Sequence, residues 1–219
     1  MITYNDVLHN KEFNTYIKKG NALLGVLGYT DHSAAHTIKV GEHAHDILLN
    51  LGYSARMAEL AKIAGYIHDI GNMINRIEHA QTGAIMAFSI LTRMGMDCEE
   101  IAEIVSAIGN HDEDTGIATN PVSAALIISD KTDVRRSRVR NTNFATFDIH
   151  DRVNYAVESA VLTMQPEERI IQLEIHIDTK ICSVVDYFEI FLSRMLMSKR
   201  AAEFLEARFK IIANGAVLL

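Results

Sequence analysis

His68 and Asp69, adjacent in the segment AGYIHDIGN, put an imidazole nitrogen and a carboxylate oxygen side by side at the end of an apolar stretch. That pairing suits a divalent metal ion. Mixed nitrogen and oxygen ligands favour Fe, Mn, Co, Ni or Zn, whereas Mg2+ prefers oxygen alone. A carboxylate beside an apolar helix is also costly to bury without a cation. The same residue types recur on both sides of the pair, as His36 in DHSAAHTIKV, His79 in IEHAQTGA, His111 in AIGNHDED and Asp130 at the end of AALIISD. Asp130 follows closely on the apolar run Ala124 to Ile128 and meets the same burial penalty.

Consecutive helical residues point about 100° apart, so His68 and Asp69 converge on one ion most easily where a helix ends. Ile70-Gly71 supplies that ending. Up to about residue 134, apolar residues recur at steps of three and four and Pro121 alone interrupts, which predicts successive helices. Ser54 caps the helix that leads to His68, Asp97 with Glu100 has capping-box spacing, and Asn120-Pro121 provides a cap followed by a first-turn proline. Beyond residue 145 the period changes. Ile171, Leu173, Ile175 and Ile177 alternate with polar residues, the pattern of a strand with one buried face.

Ala156 to Met164 is expected to pair with that strand through the QPEER turn around Pro166, with a long helix from about Cys182 to Leu205 and a third strand at RFKII before Asn214-Gly215. The fold class is therefore mainly α: a helical bundle over residues 1–140, with a small α+β element over residues 141–219 packed on it. The alternating strand and the long C-terminal helix are candidates for a homodimer interface.

The chain has 219 residues, 48% hydrophobic and 22% charged, ordinary for a globular protein. Cys98 and Cys182 stand far apart in no metal or redox spacing, which fits a reducing cytoplasm better than a disulfide scaffold. No apolar run approaches the ~18 residues of a membrane span. A formal charge of −7 argues against broad nucleic-acid binding, which needs many phosphates neutralised by Lys and Arg.

The order H…HD…H…H…D, carried by His36, His68-Asp69, His79, His111 and Asp130, resembles the HD-domain metal-dependent phosphohydrolase superfamily over roughly Gly28 to Asp133. The resemblance implies that His36, His68, Asp69 and Asp130 hold one ion and that His79 with His111 holds a second, the two sharing Asp69. It also implies a metal-bound hydroxide that attacks phosphorus. His32, one helical turn before His36, is the alternative ligand, although the HTIKV context of His36 is similar to the family's first motif.

Phosphate must also meet cations. The candidates are Arg76, in the loop after the metal pair, and Lys131, beside Asp130; with Asp69 they are the expected catalytic residues. Many members of the family read HDIGK, but Asn72 stands where that lysine would be. Lys131 opens a basic run, DKTDVRRSRVR, whose arginines either fork onto a phosphate or face water, with Asp133 orienting one of them. His9, His150 and His176 read as structural or solvated.

The expected function is hydrolysis of a phosphate ester or nucleotide anhydride of a small phosphorylated or nucleotide substrate. The absence of a GYP motif counts against the cyclic-dinucleotide phosphodiesterase subgroup, and HDIGNM in place of HDxxED counts against the alarmone hydrolases. The alternatives are a noncatalytic metal- and nucleotide-binding regulatory module and, more distantly, a di-iron oxygenase.

Overall fold

The computed structural model describes residues 1–219. The chain forms α1 (Tyr4–Leu8), α2 (Lys11–Val26), α3 (Ala34–Asn50), α4 (Ala55–Ile67), a 3₁₀ turn (Ile70–Met73), α5 (His79–Met94), α6 (Cys98–Gly109) and α7 (Pro121–Lys131). These are followed by α8 (Ile149–Ala156), β1 (Val157–Gln165), β2 (Ile170–Ile177), α9 (Val184–Phe204), β3 (Arg208–Ala213) and β4 (Ala216–Val217). The architecture is the expected helical bundle with a small C-terminal sheet.

The caps explain where helices start. Ser54 accepts from the Met57 amide at 3.1 Å and Asn120 accepts from the Ser123 amide at 2.7 Å, with Pro121 in the first turn of α7. At Asp97 the side chain accepts from the Glu99 amide, but the expected capping box does not close. Glu100 turns instead to Arg56, whose Nε donates to it at 2.6 Å. A charged fork outcompetes one backbone amide for that carboxylate.

α7 is apolar around its circumference and runs through the centre of the bundle, burying Leu126, Ile127 and Ile128. α3 and α4 lie antiparallel beside it at very close range. A Cβ on Gly65 would sit 2.6 Å from the Cα of Gly41, so only glycine at this crossing lets the two backbones touch. The crossing brings the first turn of α3 against the last turn of α4.

Gly71 does not terminate α4 as its position suggests. The helix ends at Ile67 with His68 as its cap, and Gly71 lies inside the 3₁₀ turn. Its role is clearance: a Cβ there would meet the His79 carbonyl oxygen at 2.0 Å and the Gly83 nitrogen at 2.6 Å.

In the sheet, β1 pairs antiparallel with β2, as the alternating pattern predicts, with Leu162 opposite Leu173. Ile171, Leu173, Ile175 and Ile177 are all buried. β3 lies parallel to β2, reached through α9, and β4 folds back on β3 through Asn214 and Gly215, both at positive φ. A continuous apolar core joins bundle residues such as Ile67 and Leu126 to Phe191 and Met195 of α9 and Ile171 of β2. No helix is long and apolar enough to cross a membrane.

Candidate metal centre

Every candidate ligand sits at a helix end on one side of the bundle. His36 is in the first turn of α3, His68 caps α4, and Asp69 joins that cap to the 3₁₀ turn. His79 opens α5, His111 follows α6, and Asp130 is in the last turn of α7. His36, His68, Asp69, His79 and His111 are buried. A helix end is where a side chain can leave the cylinder and where unpaired backbone carbonyls remain to hold it.

Those carbonyls set the tautomers. The Nδ1 atoms of His68, His79 and His111 contact the carbonyl oxygens of Gly65 at 2.8 Å, Arg76 at 3.0 Å and Ile108 at 2.6 Å. His32 does the same with Thr30 at 2.8 Å, and His36 uses the Asp133 carboxylate at 2.8 Å. An Nδ1 that donates leaves the Nε2 lone pair free, the arrangement that orients metal-binding imidazoles.

All five Nε2 atoms point toward the Asp69 and Asp130 carboxylates. His68 Nε2 lies 3.3 Å from Asp69 Oδ2 and 3.6 Å from Asp130 Oδ1, and His36 Nε2 lies 3.4 Å from Asp130 Oδ1. On the other side, His79 Nε2 is 3.5 Å and His111 Nε2 3.9 Å from Asp69 Oδ1. Two overlapping sets, His36–His68–Asp130 and His68–Asp69–His111, each keep one ligand atom per residue within 4.8 Å of the others.

The residues fit a cation on one decisive observation. The buried atoms His36 Nε2, His68 Nε2 and Asp69 Oδ2 have no hydrogen-bond partner. Buried polar atoms without partners are rare. A divalent ion between them would satisfy all three.

Protonation follows the same geometry. Burial holds His32, His79 and His111 below the ordinary imidazole range, so they are neutral near pH 7. Burial also opposes charge on His68, but the carboxylates of Asp69 and Asp130 outweigh it and push its pKa up to about 10, so an ion binding at its Nε2 would displace a proton. Burial would raise the carboxyls of Asp69 and Asp130. Neighbouring charges, His68 for Asp69 and Lys131 for Asp130, hold both well below the usual range.

The centre opens into a cavity of about 370 Å³. Arg76 and Lys131 both line it. The Lys131 ammonium lies 2.7 Å from Asp130 Oδ2, and Arg76 Nη1 lies 3.2 Å from His79 Nε2 and 3.4 Å from Asn72 Oδ1. Asn72, in the position a lysine often takes, donates instead to Asp69 Oδ1 at 2.8 Å and so fixes that carboxylate.

The basic run divides. Lys131 and the buried Arg138 face the cavity. Arg136 donates to the Tyr155 carbonyl at 2.6 Å, and Arg140 ties Tyr29 and Asn21 together.

Asp133 is the hub behind the centre, with the Lys39 ammonium at 2.9 Å, Arg135 Nε at 3.0 Å and His36 on its other oxygen. Its substitution by alanine should weaken metal binding by about 10–100-fold, the usual cost of losing the partner of a liganding imidazole. Competition with a chromophoric chelator would measure it.

His150, read from the sequence as structural or solvated, lies on the cavity wall, as do Asn154 of α8 and Arg194 of α9. Arg194 is held by Glu113, Nε to Oε1 at 2.5 Å. Nothing in the local sequence marks these residues; only the packing of α8 and α9 over the helix ends brings them in. His32 also faces the cavity, with its Nε2 3.9 Å from Asp69 Oδ2.

Comparison with known proteins bears on this arrangement. A family model, the HD domain, matches residues 34–189, and the chain belongs to that family. The match runs past Asp133 into α9, beyond the part that the motifs alone suggest. The uncharacterized protein MJ1020 of Methanocaldococcus jannaschii is 30% identical over 196 residues, covering 78% of this chain and 74% of its own. A crystal structure of a predicted HD superfamily hydrolase from an uncultured Thermotogales bacterium aligns with a TM-score of 0.45 and 25% identity, over 58% of this chain and 69% of that one.

Proposed function

We propose that this protein is a metal-dependent phosphohydrolase that cleaves a phosphate ester or nucleotide anhydride of a small substrate at a centre for two divalent transition-metal ions. The partnerless Nε2 and Oδ2 atoms of His36, His68 and Asp69 support the first ion, and the facing Nε2 atoms of His79 and His111, 3.2 Å apart beside Asp69 Oδ1, support the second. His36, His68 and Asp130 would hold one ion, and His79 and His111 the other, with Asp69 presenting one oxygen to each set. Bound there, the ions would supply Lewis acidity and a nucleophile effective at neutral pH.

The chain's own residues do the rest. Lys131 and Arg76 line the cavity beside the ligands, placed to neutralise phosphoryl oxygens whose charge grows during transfer. Arg138, buried on the same wall, adds a third cation. His32, neutral and with Nε2 turned inward, would accept a hydrogen bond beside the reacting group. Asn154 of α8 and Phe191 and Arg194 of α9 also line the cavity.

Elemental analysis of freshly purified protein should find near two transition-metal ions per chain, and His79→Ala should retain about one. The loaded protein should hydrolyse a chromogenic phosphomonoester or phosphodiester, lose that activity to a chelator and regain it with Mn2+. Lys131→Ala and Arg76→Ala should each lower kcat at unchanged metal content. Full metal occupancy with no turnover across such a panel would leave the noncatalytic binding module as the better reading.

A further inference from the structure

α9 has two unlike faces. The inner one buries Tyr187, Phe191, Met195 and Ala202 against the rest of the molecule. The outer one is not the polar face of a solvated helix. Val185 is 75% exposed, Leu192 50%, Leu196 42% and Phe204 45%.

With Glu189 and Arg200, also exposed, these residues follow one another at steps of three and four and form a single stripe along the helix. Scattered exposed apolar side chains are ordinary, but a continuous stripe marks an interaction surface.

The order of chemistry along the stripe identifies its partner. It reads apolar, acidic, apolar, apolar, basic, apolar. Turning a second copy of α9 end over end about a point between Arg194 and Met195 sets Val185 against Phe204 and Glu189 against Arg200, with Leu192 and Leu196 of both copies at the centre. We propose that this face is the interface of a homodimer in which two copies of the chain pair antiparallel along α9.

A twofold interface requires a surface complementary to itself. This stripe meets that condition twice, in apolar contacts and in charge. A parallel pairing would set Glu189 against Glu189 and Arg200 against Arg200, a like-charge arrangement that interfaces avoid. The same helix carries Phe191 and Arg194 into the cavity from its inner face, so the interface backs directly onto the cavity wall.

A single helix pair is small beside the roughly 1,600 Å² of a standard interface, so dissociation is expected at micromolar concentration. Sedimentation velocity of the full-length chain from about 1 to 100 µM tests it. The wild type should pass from monomer to dimer across that range. Leu192→Asp and Leu196→Asp should stay monomeric with an unchanged circular dichroism spectrum.

Glu189→Arg and Arg200→Glu, each alone, should weaken association by about tenfold or more, and the double exchange should restore it. A wild type that is monomeric throughout, a dimer indifferent to Leu192→Asp, or a double exchange that fails to recover association would each overturn the proposal.

Discussion

Replacing Asp69 with alanine should empty the centre of metal altogether. Its Oδ2 faces His68 at 3.3 Å and His36 at 3.8 Å, while its Oδ1 faces His79 at 3.5 Å and His111 at 3.9 Å. No other carboxylate turns one oxygen to each set of imidazoles. Removing it takes an anionic ligand from both sets in a buried place, where an uncompensated cation is expensive. Elemental analysis should fall from near two ions per chain to none. Hydrolysis should fall by at least about a thousandfold, about 4 kcal/mol in the barrier. Two ions retained in Asp69→Ala would remove Asp69 from the centre and break the proposed ligand assignment.

Gly71→Ala should be nearly as damaging without touching a ligand. The new methyl group would meet the His79 carbonyl oxygen and the Gly83 nitrogen, both backbone atoms that no rotamer change can move aside. The 3₁₀ turn and α5 would have to separate, and with them Asp69 and His79. Overpacking costs about 1–3 kcal/mol, and a clash with backbone belongs at the top of that range. At about 2–4 °C per kcal/mol for a chain of this size, Tm should drop by about 6–12 °C, and metal content should fall toward one ion. Gly109→Ala is the control: its Cβ would meet only the Ala84 methyl at 3.7 Å, and Tm should barely move. An unshifted Gly71→Ala would mean that this close approach is not needed.

The comparison of these two glycines shows what the sequence carries and what it does not. The ligand candidates were legible from residue type and order, an imidazole and a carboxylate side by side at the end of an apolar stretch with further His and Asp on both sides. The alternation Ile171, Leu173, Ile175, Ile177 likewise announced a strand with one buried face. Gly71 could be seen as a breaker, but clearance against a carbonyl eight residues ahead has no local mark. α8 and the parallel pairing of β2 with β3 were hidden for the same reason, because both are settled by packing between distant segments. His150 and Arg194 belong with them. His32 and His36 lie equally near Asp69 Oδ2, at 3.9 and 3.8 Å, and only the packing of α3 against α7 shows that His36 also reaches Asp130, at 3.4 Å.

The wall formed by α8 and α9 leaves the ribosome after every candidate ligand. All six candidate ligands lie at or before Asp130, whereas Phe191 and Arg194, which line the cavity, are made some sixty residues later. At about 5–20 residues per second, synthesis separates the last ligand from that wall by several seconds. In that interval the ligand-bearing segments exist without the α8 and α9 residues that line the cavity. In the folded chain the cavity is the route by which a chelator or a replacement ion would reach the ligands.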